Sequence, residues 1–146
     1  MILLDSTVLV YAVGFQHPLR EPCRSLIEAI DEGTIRATTT TDVVARFAQI
    51  RARRWGGNDA VTLALAYTDL LSPVLTVEQR HLALGLRSFA QQSHLSAADA
   101  VLAATASVAD AVLVSADPAF ADLAQLRHEY PDAAGVARLL SAGSAN

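Results

Sequence analysis

The 146 residues are enough for one domain with a single core, and a composition of 52% hydrophobic and 18% charged residues excludes disorder for the bulk of the chain. The formal net charge of −4 gives no overall basic signature for nucleic acid. All eleven basic residues are arginine, which excludes Walker-type phosphate loops and Schiff-base enzymes because both depend on a lysine. The single cysteine, Cys23, cannot form an internal disulfide, and this favours a cytoplasmic location.

Predicted strands and helices alternate along the chain. The strands are the apolar run 2–4 and the segments 35–39, 74–76, 111–115 and 136–140. The helices are 5–14, 21–32, 41–55, 60–71, 78–92 and 97–108, with a short helix that begins at Asp117-Pro118. This alternation predicts an α/β fold with a parallel sheet covered by helices on both faces. We expect one domain, residues 1–140, followed by a flexible C-terminal tail, residues 141–146.

The helix starts carry residues that favour capping, and the most apolar stretch carries charges. Asn58, Thr76 and Ser96 are the predicted N-caps of the fourth, fifth and sixth helices. The apolar run 97–116 contains two aspartates, so it predicts a buried helix followed by a strand and no membrane span.

Four aspartates lie where a strand ends or a helix begins: Asp5, Asp42, Asp99 and Asp117. Each has a purely local explanation. Asp5 and Asp117 are suited to capping the helix that follows, and Asp42 suits the dipole of a first helical turn. Asp99, three residues after Ser96, completes a sequence that resembles a capping box.

The aspartates have a second explanation as a set. Helices that follow strands of a parallel sheet begin at one edge, so Asp5 and Asp117 are expected to point the same way. Asp99 is followed by the apolar run 100–104, and a carboxylate in such surroundings needs a cation or hydrogen-bond donors. Carboxylate oxygens suit Mg²⁺ or Mn²⁺, which would activate water and stabilise a phosphoryl transition state.

Three segments contain these aspartates, namely Asp5-Ser6-Thr7, Leu95-Ser96-Ala97-Ala98-Asp99-Ala100 leading into Ala103-Ala104-Thr105-Ala106, and Leu113-Val114-Ser115-Ala116-Asp117 with Phe120. Together they resemble the PIN-domain nucleases, and more closely the VapC toxins of bacterial toxin–antitoxin pairs. The resemblance spans nearly the whole chain and implies a three-layer α/β/α sandwich around a parallel sheet. It also implies a Mg²⁺- or Mn²⁺-dependent endoribonuclease inhibited by a VapB-type antitoxin. Asp5, Asp99 and Asp117 match the family's metal-binding, catalytic aspartates.

The sequence departs from this family pattern in the helix after the second strand. The family usually has a glutamate where Arg46 lies, and the nearest acid, Asp42, is one turn earlier, ~6 Å along the helix axis. Asp42 and Arg46 are spaced i,i+4 and are predicted to pair. Either three aspartates and water still hold one metal, with Asp42 assisting through water, or the site binds metal weakly and the protein is a feeble nuclease.

Other polar residues are candidates for supporting roles. Thr7 and Ser115 flank the proposed acids and are suited to orienting them or a metal-bound water. Arg46, Arg53 and Arg54 lie on one face of a helix, with Trp55 at its end. These residues are candidates for RNA contact, through phosphates and base stacking, or else form a solvated helix end. The four histidines, at positions 17, 81, 94 and 128, have no zinc-ligand spacing.

Large apolar residues on the early helices and turns are the candidates for a partner surface: Phe15, Leu19, Phe47, Ile50, Trp55 and Tyr67. They either form a groove for an antitoxin helix and a homodimer contact, or pack internally. The rival to an active nuclease is a catalytically weak or inactive module of the same fold that binds RNA or a protein. A metal-dependent phosphatase or a flap-type DNA nuclease is a third alternative.

Overall fold

A four-stranded parallel sheet lies at the centre of the protein, whose computed structural model describes residues 1–92 and 94–143. The strands are β1 (Ile2–Leu4), β2 (Ala37–Thr38), β3 (Val112–Val114) and β4 (His128–Glu129), in the order β2-β1-β3-β4. β1 pairs with β2 on one side and with β3 on the other. Its three residues are all buried because neighbouring strands and helices cover both faces.

Seven α-helices surround the sheet within the described part of the chain. They are α1 (Ser6–Ala12), α2 (Arg20–Asp31), α3 (Thr41–Trp55), α4 (Gly57–Leu70), α5 (Gln79–Phe89), α6 (Ala97–Val108) and α7 (Ala133–Gly143). A 3₁₀ helix over Pro118–Asp122 follows β3. The predicted α/β class, with a parallel sheet inside a three-layer α/β/α sandwich, is confirmed.

Side-chain packing fixes the two helix pairs that flank the candidate site. Phe47 on α3 meets Tyr67 on α4 edge to face, with 5.1 Å between ring centroids, and the Tyr67 hydroxyl donates to the Leu9 carbonyl on α1. Gly85 brings α5 against α6 so closely that an added Cβ would lie 2.5 Å from Cα of Val101. These contacts fix α3 and α1 against α4, and α5 against α6.

The predicted final strand, 136–140, is wrong because this segment belongs to α7, and the last strand is β4. A short apolar run does not by itself distinguish a strand from a buried helix. Here Val136 and Leu139 face the core at helical spacing, while Arg138 between them is exposed. The helix continues to Gly143 and so includes the first residues of the predicted 141–146 tail; residues 144–146 lie outside the described ranges.

The predicted strand 74–76 is also wrong, since it contributes only an isolated parallel bridge between Leu75 and Thr40. Two predicted caps differ as well. Gly56, with a φ of 82°, precedes α4 in place of Asn58, and Glu78 precedes α5 in place of Thr76. In α5 the Glu78 and His81 side chains form a reciprocal capping box, which the usual Ser/Thr pattern does not include.

The apolar run 97–116 forms α6 followed by β3, as predicted. Within residues 1–92 and 94–143, none of the helices combines the length and the apolar character needed to cross a membrane.

Candidate functional site

Asp5 lies directly after β1, at the carboxyl edge of the sheet, and its side chain is only 2% exposed. Oδ1 accepts a hydrogen bond from the Ser6 backbone N–H at 2.6 Å, so the residue caps α1. Oδ2 accepts from the hydroxyls of Thr7, at 3.0 Å, and Ser115, at 2.7 Å. Because every one of these donors is fixed by β1, α1 or the end of β3, the orientation of the Asp5 carboxylate is fixed too.

Ser115 joins Asp5 to Asp117 across the ends of β1 and β3. Its Oγ donates to Asp5 and accepts from the Asp117 backbone N–H at 3.1 Å. Thr7 Oγ1 accepts from the Ala116 N–H at 3.0 Å, which ties the same two strand ends together a second time. The structure therefore brings Asp5, Thr7, Ser115 and Asp117 into one cluster, in which Asp117 also caps the 3₁₀ helix.

Asp99 lies in the first turn of α6, and both of its carboxylate oxygens are engaged. Oδ2 accepts from Ser96 Oγ at 2.6 Å, while the Asp99 N–H donates back to that oxygen, as in the predicted cap. Oδ1 accepts from Arg46 Nη1 on α3 at 2.9 Å. Arg46 therefore pairs with Asp99, and the predicted ion pair between Asp42 and Arg46 is wrong.

The burial of the two acids accounts for this choice of partner. Asp42 is exposed in the first turn of α3, where water already solvates its charge. The Asp99 side chain is 17% exposed, so its carboxylate gains more from a guanidinium than a solvated one does. Asp42 and Arg46 instead share the lining of a cavity of about 250 Å³ whose apolar wall includes Leu82 and Leu86.

The oxygen atoms of the cluster are of the kind that coordinates a hard divalent cation. The negative charge of Asp99, by contrast, is already paired with the guanidinium of Arg46. Among residues 1–92 and 94–143, no group of three or more His, Cys, Asp or Glu side chains is arranged to hold a metal ion. Asp5 and Asp117, linked through Ser115, supply carboxylate and hydroxyl oxygens, the ligand type that Mg²⁺ and Mn²⁺ prefer. Asp99 is paired with Arg46 instead.

The C-terminal end of α3 forms a separate basic and aromatic groove of about 440 Å³. Its lining includes Arg53, Arg54, Trp55 and Phe15 but not Arg46, which is turned towards Asp99. The Arg54 guanidinium lies over the Phe15 ring, 5.2 Å from its centroid. The Phe15 and Trp55 rings are 5.4 Å apart, which leaves an aromatic surface that is half exposed.

Of the six apolar residues named as partner candidates, three are exposed and three are buried, and Phe47 is buried although it also lines this groove. Phe15, Ile50 and Trp55 are exposed, whereas Leu19, Phe47 and Tyr67 are buried in the core. The sequence could not separate them because all six follow helical or turn patterns that fit either location.

Two residues near these sites make contacts that were not expected from the sequence. Nε2 of His128, on β4, lies 2.9 Å from the Ser115 carbonyl oxygen, and this hydrogen bond helps to fix the Ser115 backbone. Arg51 is held by Asp59 and the Val13 carbonyl, and its guanidinium lies 4.3 Å from the Trp55 ring centroid. The contact of His128 with Ser115 and that of Arg51 with Val13 join separate segments, for which the local sequence carries no signal.

Comparison with known proteins identifies the family. The sequence model of the PIN domain family matches residues 2–126 of this chain. The chain is 48% identical to Ribonuclease VapC7 of Mycobacterium tuberculosis, in an alignment that covers 96% of this chain and 98% of that protein. It is 33% identical to Ribonuclease VapC23 of the same species, in an alignment that covers 60% of this chain and 77% of that protein. Its fold resembles a chain of the crystal structure of VapBC2 from Rickettsia felis bound to a DNA fragment from their promoter, with a TM-score of 0.70 at 16% identity, covering 89% of this chain and 98% of that one. The chain therefore belongs to the PIN domain family and, within it, to the VapC group.

Proposed function

We propose that this protein is an endoribonuclease that acts as the toxin of a toxin–antitoxin pair. The observation that carries the proposal is the joining of Asp5 to Asp117 through Ser115, at the carboxyl edge of a parallel sheet, in a chain 48% identical to a VapC ribonuclease. This edge is where open α/β sheets bind their ligands. The catalytic residues of the proposal are Asp5, Asp99 and Asp117.

A divalent cation, Mg²⁺ or Mn²⁺, is the cofactor that these oxygen ligands favour. When bound, it would supply an activated water and stabilise the negative charge that develops on the phosphoryl group. Thr7 and Ser115 hold the Asp5 carboxylate in one orientation, and Ser115 fixes the backbone that carries Asp117. Asp42, which is exposed and lines a cavity with Arg46, would assist through water.

RNA contact is proposed for the groove at the end of α3 and for the rim of the site. Arg53 and Arg54 are exposed cations that suit phosphates, and Trp55 presents an aromatic face on which a base can stack. Arg46 lies beside the carboxylate of Asp99 and would meet a phosphate bound there.

The protein partners that we propose for this chain are a VapB-like antitoxin and a second copy of the chain. One structural neighbour is part of a VapBC complex, and the exposed Phe15, Ile50 and Trp55 would suit the apolar face of an antitoxin helix. The exposed apolar residues of α5, among them Leu82 and Leu86, would suit a homodimer contact. A cytoplasmic location is proposed because the RNA substrate is found there and the lone Cys23 needs no oxidising compartment.

The alternative is a catalytically weak or inactive module of the same fold that binds RNA or a protein. The observation that favours it is the ion pair between Arg46 and Asp99, which occupies a carboxylate that an active site would need. Both functions predict RNA binding, so cleavage is the discriminating measurement.

The test is cleavage of a labelled single-stranded RNA in Mg²⁺ or Mn²⁺, for wild type and for Asp5→Asn. We expect the variant to lose activity by about 100-fold or more, since even residues that merely support a metal ligand cost 10- to 100-fold. Asp31→Asn, an exposed carboxylate at the end of α2, is the matched control and should retain activity. RNA that is bound but cut by neither wild type nor Asp31→Asn would support the inactive module.

A further inference from the structure

Pro131 interrupts the hydrogen bonds between β3 and β4 next to the candidate site. The Ser115 N–H donates to the Glu129 carbonyl, which continues the parallel ladder just beyond the two strands. In the same ladder the Ser115 carbonyl would accept from the N–H of residue 131, two residues after Glu129. That residue is a proline, which has no N–H to donate. The Ser115 carbonyl oxygen therefore needs a donor from elsewhere.

The side chain of His128 supplies this donor. Its Nε2 lies 2.9 Å from the Ser115 carbonyl oxygen. Because a carbonyl oxygen can only accept, Nε2 carries a proton whether the imidazole is neutral or charged. Ser115 is fully buried, so water does not compensate the carbonyl if this hydrogen bond is lost.

His128 contacts the chain on both sides of Asp117. The Ser115 carbonyl lies two residues before Asp117, and the Phe120 ring, three residues after it, has its centroid 5.9 Å from that of the imidazole. Phe120 is buried and belongs to the 3₁₀ helix that the Asp117 side chain caps. The Asp117 N–H donates to Ser115 Oγ, which in turn donates to Asp5. A shift of the turn 115–117 would therefore move Asp117 and weaken the hold on Asp5.

We propose that His128 is a positioning residue of the site, whose Nε2–H replaces the N–H that Pro131 lacks and holds the turn 115–117 in its working geometry. The inference rests on the proposed function and adds to it a residue that acts through Ser115 and Asp117. Outer partners that orient the carboxylates of a metal or catalytic site typically contribute about 10- to 100-fold to activity.

The first test is nitrogen NMR of the wild-type imidazoles, which requires neither RNA nor a metal. We expect the His128 ring to carry its proton on Nε2 and to exchange that proton with water more slowly than His94, whose side chain is 42% exposed. The signal is assigned through its loss in His128→Gln. A neutral ring with its proton on Nδ1, or an Nε2 proton that exchanges as fast as that of His94, would overturn the inference.

The second test is the steady-state cleavage of a labelled single-stranded RNA by His128→Phe in Mg²⁺ or Mn²⁺. This variant keeps an aromatic ring beside Phe120 and removes the donor. We expect kcat to fall about 10-fold and KM to change by less than about twofold, because the lost interaction orients the reacting groups and does not bind RNA. His94→Phe makes the same change at an exposed histidine and should keep kcat within about twofold of wild type.

Rescue by a second donor separates positioning from packing. The amide Nε2 of glutamine lies as many bonds from Cα as the imidazole Nε2 does, so His128→Gln restores the donor without the ring. The amide of asparagine is one bond shorter and does not reach the carbonyl. We expect His128→Gln to keep kcat within about threefold of wild type, and His128→Asn to be as slow as His128→Phe.

The outcomes separate this inference from the proposed function. Equal losses of kcat in His128→Gln and His128→Phe would overturn the inference, because the ring and not its donor would then matter. A natively folded His128→Phe with wild-type kcat would also overturn it while leaving the proposed function intact. If the wild type carries a protected Nε2 proton but cuts no RNA, the proposed function fails and His128 supports only the fold of the turn. The NMR measurement on the wild type keeps the inference falsifiable if His128→Phe does not fold.

Discussion

A single hydroxyl, that of Ser115, connects the Asp5 carboxylate to the backbone of Asp117 at the sheet edge. It donates to Asp5 and accepts from the Asp117 backbone, while His128 lies against the Ser115 carbonyl oxygen. Ser115 is fully buried, so water cannot replace these hydrogen bonds if the hydroxyl is removed. At the scale of one residue, the site therefore depends as much on this neutral side chain as on the acids.

We expect Ser115→Ala to lower the free energy of unfolding by about 1–3 kcal/mol, the cost of leaving a buried polar group without its partner. Urea unfolding followed by circular dichroism measures this change. Ser141→Ala is the control, because its exposed hydroxyl donates only to the Ala137 carbonyl within α7, and it should change stability by less than about 0.5 kcal/mol. Equal decreases in the two variants would mean that the Ser115 hydroxyl has no special role.

The sequence was sufficient to predict some of these residues and not others. The positions of Asp5, Asp99 and Asp117 at a strand end or a helix start were predicted because such positions can be read locally. The partner of Arg46 was predicted wrongly because it depends on how α3 and α6 approach each other. The i,i+4 rule identifies neighbours on one helix and carries no information about a less solvated acid on another.

At the scale of elements, long segments with clear periodicity were predicted and short ones were not. α3 runs over Thr41–Trp55, close to the predicted range, because fifteen residues with a cap and a terminal glycine leave little ambiguity. β4 has two residues and no apolar pattern, so it was missed, and its place in the sheet depends on pairing with β3. Segment 136–140 was apolar but too short to show its period.

The groove at the end of α3 gives a prediction about RNA binding. Arg53 and Arg54 are exposed and are not needed to hold the helix in place, so replacing both with glutamine should leave the fold intact. We expect the double variant to bind single-stranded RNA more weakly, with a salt dependence of log K that is shallower by about 0.7 for each phosphate that the arginines no longer neutralise.

Fluorescence anisotropy with a labelled RNA at several salt concentrations measures this slope. The double variant Arg80→Gln/Arg87→Gln, which changes the net charge equally through two exposed arginines of α5, is the control. A slope that is identical in both double variants and in wild type would exclude the α3 groove as an RNA-binding surface.

At the scale of the whole molecule, one core encloses Cys23, which is fully buried on α2. Burial raises the pKa of the Cys23 thiol from 9.0 to about 12, because the thiolate would lose its hydration. The thiol is therefore protonated at every pH at which the protein works. Only an opening of the core that exposes α2 lets it react, so its reactivity reports on the stability of the whole fold.

Native protein at pH 8 should therefore resist a thiol reagent such as dithionitrobenzoate for hours, whereas protein in urea should react within the mixing time. As the pH rises above 9, the unfolded chain releases the thiol proton while the folded chain retains it. The free energy of unfolding should consequently fall between pH 9 and 12 and show no contribution from Cys23 below pH 9.

Ser141→Cys in a Cys23→Ala background is the control for the labelling experiment, because it provides an exposed thiol that should react at once in the native state. Equal labelling rates at Cys23 in native and urea-treated protein would show that this core opens without unfolding.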